Sequence, residues 1–549
     1  MNTTNEINLT FPGLFNETLR KFGKRSAYAF VGEEPKTYES VDREIRALIA
    51  FLEENGIRPG DRVAILSLNM PNWGIAFFSV TFMGAVVVPV LPDFSPVEIA
   101  NILDHSGAKA IFISNSLLSR IEDFKSDILT LSILMEDFSI LNPGKSRPEY
   151  DPSVLSVKKY DINKDDLASI IYTSGTTGRS KGVMLTHGNI SYNALKGRVI
   201  QFIDENDRFL SVLPLSHTYE NTLGLILPML CGSCVYYLRK PPTPSVLLPA
   251  LAEIKPTMML TVPLIIEKIY FNKIVPAFRE KLILKLLYKI SIFRKIMNEA
   301  AGKKLRKTFG GELKFYGIGG AKLNKTVERF LQEAKFPYAV GYGLTETAPL
   351  LAGANPQQSV FESTGPAIEG VELMINNPDK KTGEGEIWAK GPNIMKGYYK
   401  EPEMTRAVLT EDGWFKTGDL GTFDKNNNLY IKGRLKNMIV GASGENIYPE
   451  EIESIINNFR FVVESLVVQK KGKLVALVHI NMEELEKKYQ TLKQDMTRQL
   501  EDKVDDVLSE LQQYVNSQVN KFSQIQKVVL QPFPFQKTAT MKIKRFLYT

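Results

Sequence analysis

The sequence predicts an α/β protein with a large N-terminal domain at residues 1–433 and a small α+β C-terminal domain at residues 434–549. The N-terminal domain is expected to hold two doubly wound α/β subdomains and a small β-rich subdomain. Three observations predict this. Short, continuously apolar runs alternate with helix-length segments over residues 59–341, the pattern of parallel strands covered on both faces. Between residues 384 and 423 the text changes to short strands broken by Gly and Asp turns. A chain of 549 residues is also too long for a single core.

The elements follow in order. After Pro59-Gly60-Asp61-Arg62, residues 63–67 read as a strand, the small and apolar run to Met83 as a helix, and residues 84–90 as a second strand, a βαβ unit. A helix over 96–105 and a strand over 110–114 repeat the idea. A second set runs strand 208–213, helix 222–230, strand 235–238, helix 244–253 and strand 258–262. Strand 313–317, a helix after Asn324 and strand 338–341 complete it. Beyond Arg434 come a helix over 449–458, strands over 462–469 and 474–480, and a charged helical stretch. Its apolar i, i+3, i+4 spacing over 483–515 and its Glu/Lys pairs mark a solvated surface helix.

Composition narrows the function classes. With 44% hydrophobic and 23% charged residues the chain is an ordinary globular protein, and a net charge of +7 permits an acidic partner without requiring one. Two cysteines, Cys231 and Cys234, exclude a disulfide scaffold. Their CxxC lies in an apolar run without a second half-site, so it reads as a turn and buried strand. The N-terminal residues lack a basic region followed by an apolar stretch, and no window of about 20 residues is apolar enough to span a bilayer. A cytoplasmic setting, free or membrane-associated, is expected.

The strongest local signal follows an apolar strand and reads Thr173-Ser174-Gly175-Thr176-Thr177-Gly178-Arg179-Ser180-Lys181-Gly182. Glycines let backbone N–H groups approach an anion, hydroxyls donate further hydrogen bonds, and a lysine adds charge. It is not a Walker loop, because Lys181 is followed by glycine and an apolar strand. By composition alone the segment is a phosphate loop or a flexible surface loop.

The order of its residues resembles the signature loop of the adenylate-forming superfamily, which includes acyl-CoA synthetases, firefly luciferase and peptide-synthetase adenylation domains. Other segments extend the resemblance in order along the chain. Pro214-Leu215-Ser216-His217-Thr218-Tyr219-Glu220 is similar to the acid-site segment. Gly319-Gly320-Ala321 and Gly341-Tyr342-Gly343-Leu344-Thr345-Glu346 resemble the adenine and magnesium segments, and Thr417-Gly418-Asp419 the ribose-binding turn. Gly433-Arg434-Leu435-Lys436-Asn437 resembles the hinge, Gly444-Glu445-Asn446-Ile447-Tyr448-Pro449 the start of the mobile domain, and Lys537–Arg545 the catalytic-lysine tail. The whole most resembles bacterial long-chain fatty-acid–CoA ligases.

The resemblance implies roles that make physical sense. A carboxylate attacking a phosphate must overcome repulsion of roughly 4 kcal/mol between unit charges about 4 Å apart at an effective dielectric of about 20, so cations placed there matter. The loop from Thr173 to Lys181 would hold the β,γ-phosphates of ATP, and Thr345 would touch the α-phosphate. Glu346 would ligate Mg²⁺, a hard cation that wants oxygen. Tyr342 and Gly343, with Gly319, Gly320 and Ala321, would form the adenine site. Asp419 would accept the ribose hydroxyls with Arg434 nearby. His217, Gly319 and Gly341 would line the acyl pocket. His217 is not expected to act as a general base, since a fatty acid is already ionised near pH 7. Lys542 would bridge the attacking carboxylate and the α-phosphate, Lys436 would be the pivot, and Gly444 would lie on the CoA path. The chain departs from the family pattern at Met541, where glycine is usual, at Asn437 in place of an acid, and at Asn221 in place of a tryptophan gate.

The implied reaction converts a fatty acid, ATP and CoA to acyl-CoA, AMP and diphosphate. A carrier-protein thiol is the alternative acceptor, and an inactive lipid-binding adaptor the alternative of a different class. No nucleic-acid signature is present. Residues 268–307 carry 12 Lys/Arg against Glu280 and Glu299, a net of +10 that exceeds the +7 of the whole chain. Interleaved with apolar and aromatic residues, this segment is either a packed helical pair with a solvated basic face or a peripheral contact for an anionic membrane.

Overall fold

The structure is a computed structural model that describes residues 8–141, 148–173, 180–279, 282–441, 445–470, 472–489, 498–538 and 542–549. Two seven-stranded sheets dominate it. The first runs in the order Gly397–Tyr398, Lys181–Thr186, Leu167–Thr173, Val86–Val90, Arg62–Leu66, Ala108–Ile113, Leu131–Leu134. Its five inner and far-edge strands are parallel, and the strand Lys181–Thr186 turns back antiparallel beside Leu167–Thr173. The second runs Tyr338–Val340, Phe315–Ile318, Met258–Thr261, Arg208–Ser211, Cys234–Tyr237, Ser26–Phe30, Lys36–Thr37, parallel except for its last pair.

The apolar strands are apolar because both faces are covered: every residue of Val86–Val90 is buried. The helix Pro71–Phe82 explains how. Ten of its twelve residues are buried, and it touches strands of both sheets, so it is apolar all round rather than along one stripe. Local signals set the neighbouring helix Pro96–Ser106, where Ser95 and Glu98 form a capping box, Pro96 opens the first turn, and Gly107 ends it at φ 64°.

The expected alternation is present, with three additions and one change of kind. Sequence reading assigned nothing to the helices Phe11–Phe22 and Tyr38–Glu54 or to the strand Ser26–Phe30, which with Lys36–Thr37 forms an edge of the second sheet. The helix expected over 222–230 is a continuous run from Thr218 to Cys231 with a π-helical segment at Asn221–Ile226. The β-rich subdomain is a four-stranded antiparallel sheet in the order Glu372–Asn376, Gly385–Lys390, Phe415–Phe423, Leu429–Arg434. Beyond it a three-stranded sheet, Val462–Lys470, Lys473–Ile480 and Lys527–Leu530, packs with the helices Pro449–Ile456 and Arg498–Asn516 around a separate core. The charged helical stretch appears as two helices, Met482–Tyr489 and Arg498–Asn516. Cys231 and Cys234 are buried and unbridged. Among the described residues no helix is long and apolar enough to cross a membrane.

Candidate active site

The carboxyl ends of the parallel strands Phe315–Ile318 and Tyr338–Val340 open onto the cleft between the large sheets and the C-terminal unit, the place where open α/β sheets bind ligands. Gly319, buried at the first of these ends, donates its N–H to Thr261 O at 3.0 Å, and a Cβ there would lie 3.2 Å from the Tyr219 ring. Gly320 and Ala321 continue exposed into the cleft, Gly320 at φ 82°. At the second end, Gly341 donates to Ile318 O at 3.0 Å. Gly343 must be glycine: a Cβ would sit 1.8 Å from the Pro349 carbonyl oxygen.

Tyr342 reaches across to the β-rich sheet, where its hydroxyl donates to Asp419 Oδ2 at 2.8 Å. Asp419 faces Arg434 on the neighbouring strand, and Arg434 Nε lies 2.7 Å from the other carboxylate oxygen, Oδ1. Burial pushes the Asp419 carboxyl up, opposed by Arg434, Tyr342 and Lys542. Each oxygen has one protein partner and keeps a lone pair for a ligand hydroxyl. Gly418, at φ 69°, and the Thr417 hydroxyl, which donates to Ile387 O at 2.7 Å, set the turn that aims the carboxylate.

Glu346 follows in the turn Thr345–Thr347, and its Oε1 accepts from the Tyr398 hydroxyl at 2.9 Å. The Tyr398 ring in turn lies 5.0 Å below Lys181 Nζ. Lys181 pairs with Thr173 across the hairpin that carries the glycine–hydroxyl loop, so the loop's two ends are fixed beside Glu346. Ser174, Gly175, Thr176, Thr177 and Gly178 lie outside the described residues, as does Gly444.

Lys542 arrives from the C-terminal unit. Thr538 N–H donates to Lys542 O at 2.8 Å, Lys542 N–H to Thr538 Oγ1 at 3.2 Å, and Lys537 bridges Ile543, which makes a bracket for the lysine. Ion pairs of Lys537 with Glu464 and of Arg545 with Glu453 pin that bracket to the C-terminal sheet and helix. The lysine keeps accessible surface within the cleft, yet the walls displace enough water to lower its pKa. Arg434 lowers it further, against Asp419 and Glu346, which raise it. Lys436, in the turn Leu435–Asn437, is lowered by burial and then by Arg434, Lys181 and Lys542, with Asp419 opposing. Four cations from three separate segments therefore repel one another around two carboxylates, an arrangement that favours a polyanion. Burial, reinforced by Lys542, pushes His217 down to about 4, so its ring is neutral at physiological pH. Its Nδ1 accepts from Tyr219 N–H at 3.2 Å.

Next to this charged cluster lies a partly open apolar pocket with a cavity volume of about 60 Å³. Its walls come from Gly197, Tyr219, Leu223, Met258, Gly341 and Leu350, among others. Of the residues expected to line the acyl site, Gly341 does, Gly319 stands behind Tyr219, and His217 lies outside the lining and orients the turn. Tyr398 and Tyr219 escaped sequence reading. Tyr219 sits inside the acid-site segment and Tyr398 follows Gly397 on a short strand, but only pairing with Met184 and Val183 brings the latter to Glu346.

Asn437, which stands where the family has an acid, donates to Glu450 Oε1 at 2.7 Å, so an acid of the C-terminal unit supplies the charge. Further polar contacts hold the C-terminal unit against the large one: the Tyr448 hydroxyl donates to Glu384 at 2.7 Å, Lys322 pairs with Glu451 at 3.1 Å, and Asn324 donates to Asn458 at 2.6 Å.

The chain resembles known proteins over most of its length. The family model described as AMP-binding enzyme matches residues 15–399. A long-chain-fatty-acid–CoA ligase of Haemophilus influenzae is 30% identical over 81% of this chain and 80% of its own. A chloroplastic long-chain-fatty-acid–[acyl-carrier-protein] ligase of Arabidopsis thaliana is 28% identical over 87% of this chain and 77% of its own. The ATP-bound crystal structure of MatB from Rhodopseudomonas palustris covers 98% of both chains with a TM-score of 0.76 at 22% identity, a likeness of fold. The chain belongs to the AMP-binding enzyme family and is an adenylate-forming ligase.

Proposed function

We propose that the chain is a long-chain fatty-acid–CoA ligase that works through an acyl-adenylate. The observation that supports this reading is the adjacency of a partly open apolar pocket to the cluster of Lys181, Arg434, Lys436 and Lys542. An alkyl chain enters the cavity while its carboxylate stays at the charged mouth. The triphosphate lies along the glycine–hydroxyl loop from Thr173 through Ser174, Gly175, Thr176, Thr177 and Gly178 to Lys181. Tyr342 and Gly319–Ala321 flank the adenine, and Asp419 accepts from the ribose hydroxyls.

A single carboxylate suits Mg²⁺, which takes one or two carboxylates and fills its remaining positions with water and phosphate oxygens; Glu346 is that ligand. When bound, the ion neutralises phosphate charge. Among the described residues there is no three-carboxylate or histidine cage that would favour a different metal.

The carboxylate oxygen attacks the α-phosphorus, the bond to the β-phosphate oxygen breaks, and diphosphate leaves. Lys542 holds the two reacting anions together and stabilises charge that grows in the transition state. Neutral His217 positions the turn and takes no proton. In the second step a thiol adds to the acyl carbonyl, loses its proton, and AMP departs. Residues 434–549 act as the mobile domain, turning about Lys436 between the two steps and opening the thiol path past Gly444. CoA is the acceptor in this reading, and a carrier-protein thiol is the alternative that the second relative keeps in view.

The test offers a panel of carboxylic acids, from short-chain to long-chain and aromatic, and follows diphosphate release with CoA or with a carrier protein. Long-chain acids with CoA should give the highest kcat/KM. Preference for short or aromatic acids, or for the carrier, would replace this assignment. Lys542→Ala should lower acid-dependent ATP–diphosphate exchange by roughly 10²–10³-fold and spare thioester formation from supplied acyl-adenylate. Equal loss of both half-reactions would refute the role given to the lysine.

A further inference from the structure

The helix Ser291–Thr308 is built inside out. Its inward stripe is polar or small until the last turn, where Leu305 is buried: Arg294 pairs with Glu333 at 2.8 Å, Asn298 is buried and donates to Glu333 Oε2 at 2.7 Å, and Gly302 meets Ala334 so closely that a Cβ would lie 2.4 Å from its carbonyl oxygen. The outward stripe of the first two turns is Ile292, Phe293 and Ile296, and of the last turns Lys303, Lys304 and Lys307, all exposed. The preceding helix Leu282–Leu287 adds Ile283 and Leu286, and the turn between them adds Ile290. Exposure reaches 71% at Ile283, 63% at Ile292 and 60% at Ile296. Six of the 24 exposed large apolar side chains among the described residues thus fall between positions 283 and 296, a concentration that scattered surface residues do not produce.

The face is also held rigid. Tyr288 stacks on Phe278 with ring centroids 5.0 Å apart, and its hydroxyl donates to Asn298 Oδ1 at 3.0 Å, which ties the inter-helix turn to the buried stripe. Rotating the helix to bury the isoleucines would break the Arg294–Glu333–Asn298 network and drive Gly302 off Ala334. Over residues 291–302 the fold therefore buries polar and small groups and leaves the large apolar ones outside.

We infer that this face docks on an anionic phospholipid bilayer, with the isoleucines and Phe293 entering the headgroup boundary and the lysines reaching lipid phosphates. Charge selects the occupant. Residues 268–307 carry a net of +10, and the described acid on this helix, Glu299, is already engaged by Lys335 at 3.3 Å and Lys303 at 4.0 Å. A second copy of the chain would bring two such surfaces into repulsion, whereas an anionic bilayer attracts both the basic and the apolar parts of the face. Lysine stems lie along apolar surface while their ammonium groups reach outward, the geometry an interfacial helix uses. The inference is independent of which acid or thiol the enzyme uses.

The test is flotation of the full chain with vesicles of phosphatidylcholine alone or with phosphatidylglycerol added. Expected are partition about tenfold stronger onto the anionic vesicles and a sharp fall in binding between about 0.1 M and 1 M salt, where the screening length shrinks from about 10 Å to 3 Å. The variant Ile283→Ser/Ile292→Ser/Ile296→Ser should lose about tenfold in partition with its thermal unfolding midpoint unchanged, because these side chains make no core. The variant Lys303→Glu/Lys304→Glu/Lys307→Glu should lose the preference for phosphatidylglycerol. No preference for anionic vesicles, or parent-like partition by the isoleucine variant, overturns the inference. So does a parent dimer in sedimentation that the isoleucine variant abolishes without any vesicle binding, since the face would then be a self-association surface.

Discussion

Glu220 stands in the chain one residue beyond Tyr219 and three before Leu223, both of which line the cavity. It is itself buried, with Oε1 accepting from the Ser211 hydroxyl at 2.6 Å and Oε2 without a hydrogen-bond partner. Burial pushes its carboxyl up to about 8, only partly offset by Ser211. The unfolded chain loses this proton near pH 4.5, while the folded protein keeps it until about pH 8, so the native state binds the extra proton in between. Stability from this group is therefore present at low pH and lost as pH rises through that window. Glu220→Gln cannot ionise and keeps an acceptor for Ser211. Its unfolding temperature should exceed the parent's at pH 8 by about 1 °C for each kcal/mol recovered and match it below pH 4.5; a difference equal at both values would remove the argument. His187 and His217, both held near 4 by burial, act in the opposite sense: the unfolded chain takes up protons below pH 6.5 that the folded one refuses, so acid destabilises.

At the scale of elements, the apolar pocket depends on strands and helices that meet over glycine. Gly197 of the helix His187–Ile200, Gly317 of its strand, Gly341 and Gly353 all contribute wall where a side chain would fill space. Gly341→Val places new atoms against Leu350, which a Cβ alone would approach to 3.1 Å. It should depress kcat/KM for long-chain acids about tenfold more than for short-chain ones, the discrimination that one or two methylene-sized groups allow; an equal fall for all chain lengths would show that Gly341 does not bound the chain. Much of this architecture was legible beforehand, because buried parallel strands write themselves as unbroken apolar runs and the Gly–Thr–Ser loop is local in sequence. The π segment at Asn221–Ile226 was not, since one extra residue per turn leaves a helix buried all round without a periodic signature. Nor was Tyr398, whose place beside Glu346 comes from a strand pairing more than 200 residues distant, Tyr398 with Val183. The helices Phe11–Phe22 and Tyr38–Glu54 and the strand Ser26–Phe30 went unassigned although both helices carry a regular apolar stripe and a capping threonine, Thr10 and Thr37.

Across the whole molecule, polar contacts among the described residues join the large unit and the C-terminal unit: Tyr448 with Glu384, Lys322 with Glu451, Asn324 with Asn458 and Ser454. Interfaces of this kind are readily exchanged for water, since exposed ion pairs contribute about 0–1 kcal/mol. Tyr448→Phe combined with Lys322→Ala should free the C-terminal unit to leave the position that presents Lys542. Proteolysis near residues 434–449 should accelerate about threefold to tenfold, and acid-dependent diphosphate exchange should slow with it, as expected for about 1 kcal/mol of lost docking; unchanged proteolysis and exchange would mean that other contacts set the docked state. The second large sheet carries a different consequence. Its strand Ser26–Phe30 lies beside Cys234–Tyr237, with Tyr28 opposite Val235, so the two partners leave the ribosome 207 residues apart. At about 5–20 residues per second the early strand waits roughly 10–40 s for its neighbour. During that interval the nascent chain displays an unpaired apolar edge, which makes the first forty residues a natural substrate for chaperones that hold emerging polypeptides.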